Sequence, residues 1–243
     1  MEDPGWAGAL TVAAGALCYR GALSGAEQHH HVGVQVIQAR DGSFEVSDAH
    51  GGRAVTSAAV IPSGHTHGLR ITAATDGVLV FLDPGRLVPT DTIPDDATAW
   101  AAAGHELPCH TTWLSPIDLV GRLLTAPPTG YRTTGPRHPS VRIAVDLIPR
   151  LVPAPIRLTD VARTAGLSPN RLGRLFKEQV GQSFSSYVRW IRLRHAVTSL
   201  SSGASLTDAA HAAGFTDSAH ANRVCREMFG MAPSTASRGL TWA

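Results

Sequence analysis

Short hydrophobic runs, separated by Gly, Asp and Pro, occupy most of the first hundred residues. The runs lie at 9–19, 32–39, 44–46, 54–61, 69–73 and 78–82. Many short apolar segments with turn-forming residues between them are typical of strands in a sandwich or barrel. Asp41 and Gly42 stand between two of these runs and predict a hairpin turn. The N-terminal part is therefore predicted to be a β-barrel.

Helical periodicity replaces this pattern later in the chain, where apolar residues recur every three or four positions. The predicted helices are 95–104, 115–125, 139–151 and 183–200. The apolar side of the helix at 115–125 has two possible partners, its own barrel or a second subunit. Residues 126–137 are rich in Pro, Gly and Thr and are interpreted as a linker. The predicted class is α+β, with domains at 1–125 and 138–243.

One helical pattern occurs twice in the C-terminal part. Residues 158–167 and 206–215 both begin with Leu-Thr-Asp, have Ala at the fifth position and place Ala-Gly before a large apolar residue. Gly166 and Gly214 can adopt the positive φ that ends a helix and turns the chain. Each copy thus predicts a helix, a tight turn and a second helix, which is the helix-turn-helix arrangement of DNA-binding proteins. The sequence predicts an all-α domain with two such motifs.

The second helix of each copy carries a polar, basic face. Its residues are Asn170, Arg171, Arg174 and Lys177 in the first copy, and Ser218, His220, Asn222, Arg223 and Arg226 in the second. The helix predicted between the copies would be roughly 27 Å long at about 1.5 Å per residue. Successive major-groove faces lie roughly 34 Å apart. This spacing suits two reading helices in neighbouring grooves on one face of DNA.

Charge is divided unevenly along the chain, although the formal net charge is only +2. From residue 137 onward there are 14 Lys or Arg and 6 Asp or Glu, whereas the preceding residues hold 7 and 13. A basic C-terminal part is expected to bind a polyanion, and an acidic N-terminal part is not.

The duplicated region resembles the AraC/XylS family of bacterial transcription regulators over about 100 residues of ordered spacing. The matching residues are 158–166, Leu172, Arg174, Phe176, Lys177, Gly181, Ser183, Tyr187, Arg192, Leu193, Ala196, Leu200, Ala210, Gly214, Phe215, Asp217, Arg223 and 230–233. Ala221 and Cys225 depart from the family, which usually has aromatic residues there. Their small side chains predict looser packing of the last helix.

By position in the family motif, one set of residues is expected to face the bases. These residues are Asn170, Gly173 and Arg174 in the first copy, and Ser218, Ala219 and Arg223 in the second. Arg pairs with guanine and Asn with adenine, although Arg174 and Arg223 could instead contact phosphate. Gly173 has no side chain to read with and would only permit a close approach. The remaining polar residues of the two faces are expected to be phosphate contacts or solvated charges.

Two histidine patterns in the N-terminal part resemble the motifs of cupin barrels. His29 and His31, followed by Gln35, are similar to the first motif, in which an acid usually occupies the position of Gln35. Residues 62–67, which end in His67, are similar to the second. The resemblance implies a cupin-like barrel, a common sensor domain ahead of AraC-type readers.

The resemblance leaves three roles open for His29, His31, Gln35 and His67. Three imidazoles and an amide could bind a divalent metal ion, they could line a pocket for an organic effector, or they could be structural remnants. His30 and His65 occupy alternate positions and are expected to point away from the same interior.

The leading prediction is a sequence-specific DNA-binding transcription regulator, not an enzyme, whose barrel senses an effector, dimerises or both. It requires no cofactor, and it binds RNA polymerase if it is an activator. The alternative is a cupin-type metal-dependent enzyme with an appended helical domain, which Gln35 in place of the acid argues against.

An acidic N-terminus and the lack of a long apolar run predict a cytoplasmic protein without a membrane partner. The widely spaced Cys18, Cys109 and Cys225 predict neither disulfides nor a zinc finger, but small buried residues.

Overall fold

The computed structural model describes residues 6–73, 75–90, 96–107, 114–133, 138–231 and 239–242. Strands dominate the N-terminal part and helices the C-terminal part, so the α+β class is confirmed. Two compact units are present: residues 1–133 together with 225–243 form the first, and residues 134–224 form the second. None of the helices in the described parts of the chain has both the length and the apolar character needed to cross a bilayer.

The first unit contains the strands and two helices. The strands are β1 (Ala7–Ala13), β2 (Ala16–Ala22), β3 (Ala26–His29), β4 (Val34–Ala39), β5 (Phe44–Asp48), β6 (Arg53–Thr56), β7 (Ala58–Ile61), β8 (His67–Ile71), β9 (Asp76–Leu82), β10 (Leu87–Pro89), β11 (Tyr131–Thr133) and β12 (Leu240–Trp242). The helices are α1 (Ala97–His105) and α2 (Pro116–Thr125).

Two larger sheets and one small sheet make up this unit. The strand orders are β12-β1-β2-β9-β4-β7, β3-β8-β5-β6 and β10-β11. All pairs are antiparallel except β1 with β12. Among the described strands no sheet closes on itself. The predicted closed barrel is therefore replaced by separate open sheets.

The core of the first unit lies on β4 and β9. Val36 and Val80 are fully buried partners in the six-stranded sheet, and all six residues of β4 are buried. Leu119 and Leu123 of α2 join the same cluster, whereas Ile117 is exposed. Of the two partners considered for α2, the helix covers its own sheet.

Local sequence signals misplaced several connections. Asp41 and Gly42 do not form a hairpin, because β4 pairs with β7 and β9 while β5 pairs with β6 and β8. The run at 9–19 is itself the hairpin of β1 and β2, with Gly15 at φ +78°. β11 lies within the predicted linker at 126–137 and pairs with β10.

The second unit is helical. Its helices are α3 (Pro139–Leu151), α4 (Leu158–Thr164), α5 (Pro169–Val180), α6 (Phe184–Ser201), α7 (Leu206–Ala212) and the first part of α8 (Ser218–Phe229). α3 contacts α4, α5 and α6, and its buried residues include Val141, Ala144 and Ile148. The helices predicted at 139–151 and 183–200 are confirmed within one residue.

Candidate nucleic-acid interface and histidine cluster

α4 and α5 form the first helix-turn-helix. Gly166 adopts φ +71°, as its position at the end of the helix predicted. The Ser168 side chain caps α5 by accepting a hydrogen bond from the Arg171 N–H at 3.4 Å. The N-cap position of α4 is Arg157, which makes no side-chain cap hydrogen bond.

The two faces of α5 differ in chemistry. Leu172, Phe176 and Val180 are buried, and the Phe176 ring packs edge-on against Tyr187 at a centroid distance of 5.2 Å. The opposite face exposes Asn170, Arg171, Arg174 and Lys177. The buried stripe therefore holds these four polar side chains toward solvent on a packed helix.

Gly173 lies between the two faces and is half-buried. A Cβ there would lie 3.6 Å from Leu158 Cδ2, an ordinary contact. Packing alone therefore does not require glycine at this position.

α7 and α8 form the second helix-turn-helix. The Ser205 side chain caps α7 by accepting from the Asp208 N–H at 3.1 Å, and Asp217 accepts from the His220 N–H at 2.6 Å at the start of α8. The exposed residues of α8 include Ser218, Ala219, Asn222, Arg223 and Arg226. His220 is half-buried, with its ring 5.3 Å from that of Phe215.

The two turns are equivalent in sequence but not in their surroundings. A Cβ on Gly166 would meet nothing within 4 Å, whereas a Cβ on Gly214 would lie 2.3 Å from Pro153 O. Arg192 of α6 holds this second turn by donating to Gly214 O and, at 3.3 Å, to Ala154 O. The sequence marked Arg192 only as a match to the family, and its hydrogen bonds to two separate loops were not predictable from the pattern.

The structure brings together the four residues expected from the cupin-like motifs. His29 of β3 pairs with His67 of β8, His31 follows β3, and Gln35 lies on β4. We call His29, His31, Gln35 and His67 the histidine cluster. All four are buried, and one ring nitrogen from each histidine lies within 4.8 Å of the others. His30, which was expected to point away from this interior, is exposed, whereas His65 is half-buried with its ring 5.9 Å from that of Trp100.

Hydrogen bonds orient every ring of the cluster. The Nδ1 atoms of His29, His31 and His67 lie 2.7, 2.7 and 3.0 Å from the backbone oxygens of Glu27, Gly33 and His65. The Nε2 atoms of His31 and His67 each lie 2.8 Å from Oε1 of Gln35. Among the described residues, no hydrogen bond is made by the Nε2 of His29.

Burial keeps the cluster uncharged. Loss of water lowers the pKa of His29 to about 4 and the pKa of His31 to about 3, and it lowers the pKa of His67 well below its ordinary value. Neighbouring histidines add repulsion between charged forms. All three imidazoles are therefore neutral at physiological pH.

Sequence reasoning missed two residues beside the cluster. Trp100 of α1 is fully buried, its ring lies 6.3 Å from that of His67, and its indole N–H is without a hydrogen-bond partner in the described residues. Asp48, the register partner of His67, accepts from the N–H of Ala97 at 3.1 Å and so fixes the start of α1. Burial alone would raise the pKa of Asp48, but its backbone hydrogen bonds outweigh this and lower it.

Cys18 and Cys225 are buried, as predicted, and no disulfide joins them to another described residue. Cys109 lies outside the described residues. At Cys225, burial raises the pKa of the thiol to about 12.

Comparison with known proteins assigns the helical region. Residues 161–239 match the family model described as a helix-turn-helix domain. The HTH-type transcriptional regulator GlxA of Rhizobium meliloti (strain 1021) is 35% identical over 105 residues, which are 43% of this chain and 32% of that protein. The chain thus matches about a third of the length of its curated relative.

Solved structures extend the likeness to the whole fold. An apo variant of ToxT from Vibrio cholerae strain SCE256 aligns with 94% of this chain and 99% of its own, at a TM-score of 0.60 and 10% identity. Wild-type ToxT with bound unsaturated fatty acid aligns with 90% of this chain and 93% of its own, at a TM-score of 0.56 and 11% identity. At this identity the likeness shows the fold alone. The predicted resemblance is confirmed at the helical region, where residues 161–239 match the model of a helix-turn-helix domain.

Proposed function

We propose that this protein is a sequence-specific DNA-binding transcription regulator, and that its N-terminal β-rich part senses an effector, dimerises or both. One observation carries the proposal. Each helix-turn-helix presents an exposed polar face on a helix whose other side is buried, α5 with Arg174 and α8 with Arg223. Two such faces fit a protein that reads two segments of one DNA site.

We assign base contacts and backbone contacts to different residues. The base-facing residues are Asn170, Gly173 and Arg174 of α5, and Ser218, Ala219 and Arg223 of α8. The phosphate-facing residues are Arg171, Lys177, His220, Asn222 and Arg226. Phosphate contacts set affinity for all sequences, whereas base contacts set preference among them.

Arg174 and Lys177 provide a matched test, because both are exposed cations on α5 and lie three residues apart. A preferred site is first selected from random DNA with the full chain. The Arg174→Ala variant should then weaken binding to that site by about 1–3 kcal/mol and lose preference at one base pair. The Lys177→Ala variant should weaken all sequences alike and reduce the salt slope by about one.

The proposal for Arg174 fails if its removal weakens the selected site and random DNA equally. The wider proposal fails if the selection enriches no sequence while the protein remains folded by circular dichroism. These two results are separate, since a protein can read bases through other residues of the same helices.

The effector is proposed to bind at the histidine cluster. ToxT, one of the structural neighbours, has been crystallised with an unsaturated fatty acid, and this supports a sensing role for the N-terminal part of the present chain. A divalent metal ion and an organic molecule are the two classes of effector to be separated. Since the relative and the matched domain are regulatory, we propose no catalytic activity and no required cofactor.

Other partners follow from the regulatory role. RNA polymerase is a partner if the protein activates transcription, and a homodimer would present two copies of the reading helices. Because DNA is the proposed ligand, we propose a cytoplasmic location. Size-exclusion chromatography with light scattering, with and without DNA, tests the dimer.

A further inference from the structure

Three segments of the second unit meet at Arg192 of α6. The Nη1 atom of Arg192 donates to Gly214 O, in the turn of the second helix-turn-helix. Its Nη2 atom donates at 3.3 Å to Ala154 O, in the loop between α3 and α4. We call these two hydrogen bonds the Arg192 clamp. Through it, one side chain of the helix that connects the two motifs holds a loop on either side of it.

The clamp depends on the shape and charge of the guanidinium group. Arginine holds its N–H donors in a planar fork, so its two terminal nitrogens can donate to two different carbonyl oxygens at once. Arg192 is half-buried. Loss of water lowers its pKa, yet a guanidinium stays charged in proteins. Both hydrogen bonds are therefore charge-assisted, and the bond to Gly214 also places a cation at the end of α7, where the helix dipole favours it.

Direct packing joins the same two loops. A Cβ on Gly214 would lie 2.3 Å from Pro153 O and 3.1 Å from Pro153 Cα, so the turn and the loop touch backbone to backbone. A Cβ on Gly166, in the turn of the first motif, would meet no atom within 4 Å. Of the two turns, the second is the one held against another segment.

The loop leads directly into the first motif. It connects the end of α3 at Leu151 to the start of α4 at Leu158, and α3 contacts both α4 and α5. The reading helix α5 is also packed on α6, with the Phe176 ring 5.2 Å from that of Tyr187. The clamp therefore ties the turn of the second motif to the helices that hold the first.

Packing on α6 alone would leave the second motif one freedom. α7 contacts α6, and a helix attached to another through a single face can rotate about that contact. The contacts of Gly214 with Pro153 and Arg192 add an attachment to a different segment. Two attachments fix both the distance and the rotation of the second motif relative to the first.

Rotation matters because DNA is itself helical. One turn of B-form DNA holds about 10–10.5 base pairs. Moving a segment along the duplex by one base pair therefore rotates it by about 35° and shifts it by about 3.4 Å. Two rigidly connected motifs cannot follow this movement without losing contacts to one segment, whereas a second motif that is free to rotate can follow it.

We propose that Arg192 is a positioning residue that sets the separation between the two DNA segments that this protein accepts. It acts through the turn at Gly214 and not through contact with a base. The inference rests on the proposed function and adds selectivity for spacing to the base preferences of α5 and α8.

The spacing of the DNA site provides the test. A preferred site is selected from random DNA with the full chain, and the segments read through Arg174 and Arg223 are located by base substitution. One base pair is then inserted or removed between them, and dissociation constants are measured at one salt concentration. The wild type should bind the altered sites about 5–150-fold more weakly, the value of one good base contact. In Arg192→Met, whose side chain has no donor, most of this spacing penalty should be lost.

A second measurement separates positioning from stability. On DNA that keeps only the first segment, wild type and Arg192→Met should bind equally, because α3 and α6 still hold α5. On the complete site the variant should bind about two- to tenfold more weakly, since the second motif must be ordered on binding. A smaller folded fraction would instead weaken binding to both DNAs alike. Ile148→Val, which loosens the buried side of α3 and removes neither hydrogen bond, is the control and should keep the wild-type spacing penalty.

Two further variants keep the test decisive if Arg192→Met does not fold. Arg192→Lys keeps the charge but lacks the fork, so it should lose part of the spacing penalty. Gly214→Ala keeps Arg192 but forces the turn away from Pro153, so it should lose the penalty as well. Gly166→Ala has a similar backbone strain without a neighbour and should retain the penalty.

The possible failures can be told apart. Equal spacing penalties in wild type, Arg192→Met and Gly214→Ala would overturn the positioning role of Arg192. A wild type that accepts the inserted base pair without loss, or an Arg192→Met variant that is weakened equally on one-segment and complete DNA, would overturn it too. A selection that enriches no sequence would instead overturn the proposed function.

Discussion

Replacement of the two turn glycines should have unequal effects, although the repeat makes them equivalent in sequence. Gly166 and Gly214 both follow the first helix of their motif and have φ values of +71° and +75°. Alanine at either position incurs the cost of left-handed backbone, about 1–2 kcal/mol. At Gly166 no further cost arises, since an added Cβ meets nothing within 4 Å.

At Gly214 the same change also forces a steric clash. The added Cβ would lie 2.3 Å from Pro153 O and 3.1 Å from Pro153 Cα, so the α3–α4 loop must shift. Overpacking of this kind typically costs about 1–3 kcal/mol. The hydrogen bonds from Arg192 to Gly214 O and Ala154 O would be strained as well. The expected total is about 2–5 kcal/mol, against about 1–2 kcal/mol for Gly166→Ala.

Urea unfolding of both variants and the wild type, followed by far-ultraviolet circular dichroism at one pH and salt, measures the two costs. Slopes should be equal, and the midpoint of Gly214→Ala should fall well below that of Gly166→Ala. Equal midpoints would refute the packing of the second turn against Pro153, whereas a larger loss at Gly166 would reverse the assignment of the crowded turn.

Three further predictions concern stability and reactivity. Arg192→Met should lower the melting temperature through the two carbonyls left without their donor, whereas the exposed Arg226→Met should not; equal losses would count against the anchoring role. Because burial lowers the pKa of His29 to about 4 and of His31 to about 3, while unfolded histidine titrates near 6.5, the unfolded chain binds more protons between these values. The unfolding free energy should therefore be highest above about pH 6.5 and should decrease as the pH falls toward 4. In urea titrations His31→Leu should flatten this pH dependence. A wild-type unfolding free energy that does not change across this pH range would contradict buried neutral rings. Cys225, with its pKa raised to about 12, should resist iodoacetamide at pH 8 in the folded protein and react in urea, so rapid labelling of the native thiol would show that it is accessible.

The helical half could be predicted from sequence because its signals are local. Ser168 caps the helix that follows it, and Gly166 and Gly214 end the helices before them, so each boundary depends on atoms only a few residues away. The polar faces of α5 and α8 follow from the same periodicity. Their exposure needed no knowledge of the rest of the chain.

The β half could be predicted only in outline, because strand pairing is not local. Asp41 and Gly42 have the composition of a hairpin turn, yet they join strands of two different sheets. The short strand β11 depends on β10, more than forty residues earlier. Neither the separation of β4 from β5 nor the pairing of β10 with β11 can be recognised from the residues of those segments alone.

The two candidate sites differ in the same way. The resemblance to the cupin motifs was sufficient to predict that His29, His31, Gln35 and His67 lie close together. It did not predict that a backbone carbonyl oxygen accepts a hydrogen bond from each histidine Nδ1. Trp100 and Arg192 make contacts between distant segments of the chain. Only the fold shows which atoms they meet.

The central claim is that two helices of one chain read two separate segments of DNA, and base-substitution mapping tests it most directly. Every base pair of the selected site is changed in turn, and dissociation constants are measured for wild type, Arg174→Ala and Arg223→Ala. The account predicts that each variant loses discrimination in one segment only, and that the two segments are centred about one helical turn, roughly 10 base pairs, apart. Loss of discrimination in the same segment for both variants, or in none, would contradict it.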